Sequence, residues 1–233
     1  MKRSQIAVIA VLALAIAGTA AWFFSQPNRA ASDPAPAAPQ GSAPPLAGAP
    51  RAAGVTTLVV DASSSQARYR VREQLASVSF PIDAVGTTRD ISGVVAFAED
   101  GRVLADRSSI TVNVTRLQSD QARRDNFIRT NTLETQRYPE VHFIPTEVRG
   151  LPMPLPAEGE VPITIAGELT IKNVTRPVQW TGTATFTPEG MTVSANTVIT
   201  FEEFQIAKPR VALVLSVADE IRLEVDAHFR KQS

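Results

Sequence analysis

Beyond Gly54, apolar and polar residues alternate with a period of two. Ile110, Val112 and Val114 are interleaved with Thr111, Asn113 and Thr115; Ile163, Ile165, Leu169 and Ile171 with Thr164, Glu168, Thr170 and Lys172. Val178, Trp180, Gly182, Ala184 and Phe186 oppose Gln179, Thr181, Thr183, Thr185 and Thr187. Met191, Val193, Ala195, Ile199 and Phe201 form a further face, and Ile221, Leu223, Val225, Ala227 and Phe229 another, set against Arg222, Glu224, Asp226 and His228. Successive side chains of a strand point to opposite sides, so the pattern predicts strands with one dry and one wet face. That is the habit of antiparallel sheets, because parallel strands covered on both faces read as unbroken apolar runs. With segments at 68–71, 91–98 and 140–148, and turn signals at Glu99-Asp100-Gly101 and Thr187-Pro188-Glu189-Gly190, the count is about eight strands. Eight short one-sided strands close into a barrel or stack as a sandwich.

The period breaks twice. Residues 119–133 read as a helix, with Ser119 as N-cap and Asp120 in the first turn. Its sparse apolar positions (Ala122, Phe127, Ile128 and Leu133) suit a helix lying along or over a barrel. Residues 209–217 are almost uninterruptedly apolar and read as a second helix or a loop that seals one barrel mouth or lines an apolar entrance.

The start of the chain has a different grammar. Lys2 and Arg3 precede a mostly apolar run from Ile6 to Phe24, just long enough for a membrane span of roughly 20 residues. Basic residues on the leading side keep that end cytoplasmic, and Trp22, Phe23 and Phe24 suit an interfacial anchor. The small residues from Gly18 to Ala21 also fit a cleaved secretory signal. Either reading exports the remainder. The expected organisation is an anchor or signal at 1–25, a Pro/Ala-rich tether at 26–54 and one folded domain at 55–233. Proline removes backbone donors and alanine offers little to bury, so the tether should be extended. The chain has no cysteine, so an exported domain must hold together by packing, and thiolate chemistry is excluded. Lysine plus arginine and aspartate plus glutamate are equal at 23 each, so no net field attracts nucleic acid.

Two long segments then carry a family likeness. Arg124-Asp125, Leu133-Glu134, Tyr138-Pro139 and Phe143, followed by the run from Gly167 to Val178, resemble the signature of the YceI-like, polyisoprenoid-binding family. Val85-Gly86-Thr87-Thr88 and Val217-Ala218-Asp219-Glu220-Ile221 look like its flanking pieces, and the likeness extends over about 58–229. Asn173 stands where the family often has glycine, and the histidine of many members' second strand is missing from 72–80. The resemblance implies a lipocalin-like antiparallel barrel, exported to the bacterial periplasm, whose interior holds an isoprenoid chain without catalysis. At about 0.3 kcal/mol per heavy atom, forty carbons could supply around 12 kcal/mol, with no ionic contact and no cofactor. The expected ligand wall is Phe97, Ile110, Val112, Phe143, Ile165, Leu169, Trp180, Phe186, Phe201 and Phe229, with Arg124 and Tyr138 at a polar head.

Each of these residues also has a plainer reading. Trp180 and the phenylalanines can be ordinary core. Arg124 and Asp125 can be an ion pair that orders the helix, Tyr138 a packing residue, and Lys172 and Arg176 solvated turn residues. His142 and His228, the only histidines, alternate with apolar neighbours and should face solvent, with no metal site. Adjacent acids such as Glu202-Glu203 point to opposite faces of a strand and form no acid/base pair. The rival to carriage is a barrel filled by its own side chains, acting through its loops on an envelope partner.

Overall fold

The computed structural model describes residues 54–77, 79–210 and 214–232. The anchor or signal segment and almost all of the tether lie outside them. Among the described residues no helix is long and apolar enough to cross a membrane.

Ten strand segments form one antiparallel sheet: β1 (Thr56–Val60), β2 (Gln66–Leu75), β3 (Ile82–Thr88), β4 (Ile91–Phe97), β5 (Ser109–Asn113), β6 (Glu140–Arg149), β7 (Gly159–Ile171), β8 (Val174–Thr187), β9 (Gly190–Thr200) and β10 (Val214–Lys231). They amount to eight ribbons, because β1 runs on into β2 and β3 into β4. Both β1 and β2 pair with β10, while β4 pairs with β1 and β3 with β2. From there the ladder passes through β5, β6, β7, β8 and β9 back to β10, and pairing of β1 with β10 closes it. The result is an eight-stranded meander barrel, and closure removes the free edges that an open sheet would expose.

The break between β1 and β2 is a built feature. Asp61 caps a 3-10 turn at Ala62–Ser64 by accepting from the Ser63 backbone at 3.1 Å. Buried Ser65 then substitutes for the interrupted ladder: its hydroxyl donates to the Asp61 carbonyl at 2.7 Å and accepts from the His228 backbone at 2.9 Å. Further irregularities between Val217 and Ile221 of β10, and between Pro145 and Glu147 of β6, bend the wall.

Up-and-down order gives the barrel two poles. The chain joins it and leaves it at one, together with the β4–β5, β6–β7 and β8–β9 connections. There Leu58, Phe97, Val103, Phe186, Met191 and Phe229 pack together, covered by Leu151, Met153 and Leu155 of the β6–β7 connection. At the other pole lie the β2–β3 turn, the β7–β8 turn, the β9–β10 connection and the long excursion from Val114 to Pro139. That excursion carries the helix α1 (Ala122–Phe127), which continues as a π-helical turn at Ile128–Thr132.

Three expectations need correction. The helix begins after Gln121 rather than at Ser119, although the Ser119 hydroxyl still accepts from the Gln121 backbone at 3.2 Å. The second break is a strand from Val214 onward, the start of β10 paired to Leu75, while residues 211–213 lie outside the described residues. Strands β1 and β3 were not foreseen.

Candidate functional site

Inside the barrel lies a cavity of about 700 Å³, within the 300–1,000 Å³ range of small-molecule sites. The alternation read from the sequence fills its wall. Ile110 and Val112 come from β5, Ile165 and Leu169 from β7, Val193 and Ala195 from β9, Leu223 and Val225 from β10. A barrel of eight strands is just wide enough for its side chains to fill or for one small ligand to enter. Here the side chains leave the lumen open. Ile110, Val112, Phe143, Ile165 and Trp180 all face inward yet keep part of their surface accessible, because they border open space.

Of the sequence-expected wall residues, Phe97, Ile110, Val112, Phe143, Ile165, Leu169, Trp180, Phe201 and Phe229 line the lumen, as does Arg124. Phe186 does not; it is buried in the packed pole beside Met191. Tyr138 does not either. It sits outside the lumen with the Arg137 guanidinium 5.1 Å and the Lys172 ammonium 5.8 Å from its ring centroid. Trp180 meets Phe143 edge to face, with centroids 5.9 Å apart. Small residues serve two distinct purposes here. Ala195 and Ala227 border the lumen and leave it room. Gly167 and Gly182 let backbones approach: a side chain at Gly182 would stand 2.0 Å from the Ser194 carbonyl oxygen.

The α1 pole adds a polar cluster. Tyr69, Val71 and Glu73 share the inward face of β2. The Arg124 guanidinium from α1 is held by Glu73 and by Asp120, not by its neighbour Asp125. Asp125 instead accepts from the Ser119 backbone at 2.8 Å and hydroxyl at 2.6 Å, which pins the start of the helix. Burial opposes the charge on Arg124, but the two carboxylates more than restore it and raise its pKa. The Tyr69 ring crosses the chain at Gly86, where a side chain would stand 2.2 Å from it. Burial pushes the Tyr69 hydroxyl well above the ordinary tyrosine range; Arg124 opposes this, while Asp125, Glu73 and Asp120 add to it. Three residues that line the lumen each bury a polar atom without a hydrogen-bond partner among the described residues: the Tyr69 hydroxyl, the Thr132 hydroxyl and the Trp180 indole nitrogen. Buried polar groups are normally paired, so each is an unmet hydrogen-bonding group within the barrel wall, shut off from the open lumen by its neighbours. The π-helical turn, with its Leu133 N–H to Ile128 carbonyl bond at 2.8 Å, is what carries Thr132 to the wall.

The YceI-like domain profile matches residues 58–229, the whole barrel. The chain belongs to the YceI-like family. It is 31% identical over 125 residues to Protein YceI of Escherichia coli, a stretch covering 50% of this chain and 61% of that protein, so the alignment spans under two thirds of the relative's length. Two solved structures share the fold. A polyisoprenoid-binding domain from Saccharophagus degradans aligns with a TM-score of 0.59 at 8% identity, over 75% of this chain and 98% of its own. Burkholderia cenocepacia BcnA aligns with a TM-score of 0.54 at 17% identity, over 75% and 99%. This YceI-like barrel therefore has the architecture expected from its sequence. The histidines of the domain bond outward, His142 to Thr111 and His228 to Thr192.

Proposed function

We propose that this YceI-like domain binds one apolar-tailed amphiphile of isoprenoid type in its lumen and carries or sequesters it without covalent chemistry. The observation that carries the reading is the apolar cavity of about 700 Å³. At about 30 Å³ per water-sized group, it accepts roughly two dozen methylene-sized groups. A tail of about 20–30 carbons fills that space, and a longer one trails from the open pole. Removing such a tail from water gives about 0.8 kcal/mol for each methylene group buried, which leaves ample affinity after the costs of association. The choice of an isoprenoid is supported by family membership and by the Saccharophagus neighbour. A charged head group is not called for, because Arg124 is already neutralised by Glu73 and Asp120. We place the domain in the bacterial envelope, held to the inner membrane by residues 1–25 through the tether at 26–54; a cleaved leader would free it there.

Trp180 reports on this directly, since the only other tryptophan is Trp22. In the full chain carrying Trp22→Phe, titration with a prenol of about 25 carbons should shift and saturate the Trp180 emission near one ligand per chain. Emission unchanged at stoichiometric prenol would refute the reading.

A further inference from the structure

The lumen reaches the surface at the α1 pole through Ser77, Gln121 and Arg123, all exposed. The two most exposed large apolar side chains among the described residues stand at that same pole. Phe80, in the β2–β3 turn, is 66% accessible, and Leu215, at the start of β10, is 67% accessible. They flank one edge of the opening, because β10 begins beside the end of β2, with Val214 opposite Leu75. Single exposed apolar residues are common. Two that are two-thirds bare, both at the pole through which an apolar cargo must pass, have a shared purpose.

The charges around them are not balanced. Glu73 and Asp120 are committed to Arg124, Asp83 to Arg70 and Arg72, and Asp219 to Lys208. Arg123 and Arg210 make no ion pair with a described residue, and both are exposed. The acids without an ion pair there, Glu202, Glu203 and Glu220, lie on the β9 flank, across β10 from the β2–β3 turn.

We propose that this rim is a docking surface for an anionic lipid bilayer, into which Phe80 and Leu215 insert while Arg123 and Arg210 meet lipid phosphates. The inference rests on the carrier reading, since it gives the cargo a path from bilayer to lumen that never crosses water. It also fixes an orientation. The chain joins the barrel at the opposite pole, where Leu58 of β1 pairs with Lys231 at the end of β10, so the mouth points away from the point of attachment.

The chain lacks cysteine, so Phe80→Cys and Leu215→Cys each provide a unique site for an environment-sensitive fluorophore, with Asp100→Cys at the closed pole as reference. In the full chain reconstituted into vesicles containing phosphatidylglycerol, labels at 80 and 215 should brighten and be quenched by lipid-borne nitroxides. The label at 100 should stay open to aqueous iodide. Equal iodide quenching at all three sites would overturn the proposal; insertion into pure phosphatidylcholine as well would overturn the part given to the arginines. A Phe80→Asp/Leu215→Asp chain should extract a fluorescent prenol from vesicles about tenfold more slowly, yet bind it normally when it is delivered from detergent. Loss of detergent-delivered binding in the wild-type chain would instead strike the carrier reading and leave the docking measurement standing.

Discussion

At the residue scale, Tyr69 and its surroundings leave one polar group unmet inside the barrel wall. Its hydroxyl is buried without a partner, and an unsatisfied buried group costs about 1–3 kcal/mol. Tyr69→Phe should therefore leave the ligand-free protein as stable as before or more so in urea unfolding. The pH dependence has a definite sign. The folded-state pKa of Tyr69 is raised, so above the unfolded value near 10 the unfolded chain loses a proton that the folded chain keeps. Stability should fall as pH rises past about 10, and Tyr69→Phe should reduce that slope. Arg124→Met should behave oppositely to Tyr69→Phe at neutral pH. It strands the Glu73 carboxylate and should cost about 3 kcal/mol, with Glu73→Gln in the same chain recovering much of it. None of this cluster except Arg124 was legible in the sequence. Arg68, Tyr69, Arg70, Val71, Arg72 and Glu73 put charge on both faces of β2, and the inward Glu73 hides the period. Its partner comes from a helix 51 residues away, a distance over which sequence spacing carries no signal.

At the scale of elements, the long strands were readable and the short ones were not. β7, β8, β9 and β10 each run for 11 residues or more, enough for alternation to stand out. β1 has five residues and β3 is seven residues rich in threonine and glycine, so neither shows a repeated apolar face. The helix was readable in place but not in form, because a π-helical turn needs one hydrogen bond of longer span, which composition does not announce. Gly182 falls on the apolar face in the sequence pattern, and its part in the structure is to hold β8 close to β9. Gly182→Ala would press a methyl group against backbone that has no rotamer to change. It should cost about 2–3 kcal/mol in chemical denaturation, well beyond the cost of Gly86→Ala, where only the Tyr69 ring must move.

For the whole molecule, the decisive fact is that one pole of the barrel is packed and the middle is not. Two clusters, one around Phe97 and Phe229 and the other around Phe201 and Phe204, keep the fold together without disulfides, so the space between the walls need not be filled for stability. A barrel filled by its own side chains, the rival reading of the sequence, is not what formed. Closing the space should separate fold from function. Ala195→Phe projects a ring into the lumen and should cost about 1–3 kcal/mol of stability, while sharply lowering the yield of bound lipid from a correctly folded barrel. The central claim is tested most directly by native mass spectrometry of the full chain released from membranes in mild detergent. The account predicts a population one ligand heavier than the bare chain, whose added mass, on solvent extraction, is a single apolar-tailed molecule. Protein that emerges reproducibly at its bare mass, with nothing apolar in the extract, would contradict it.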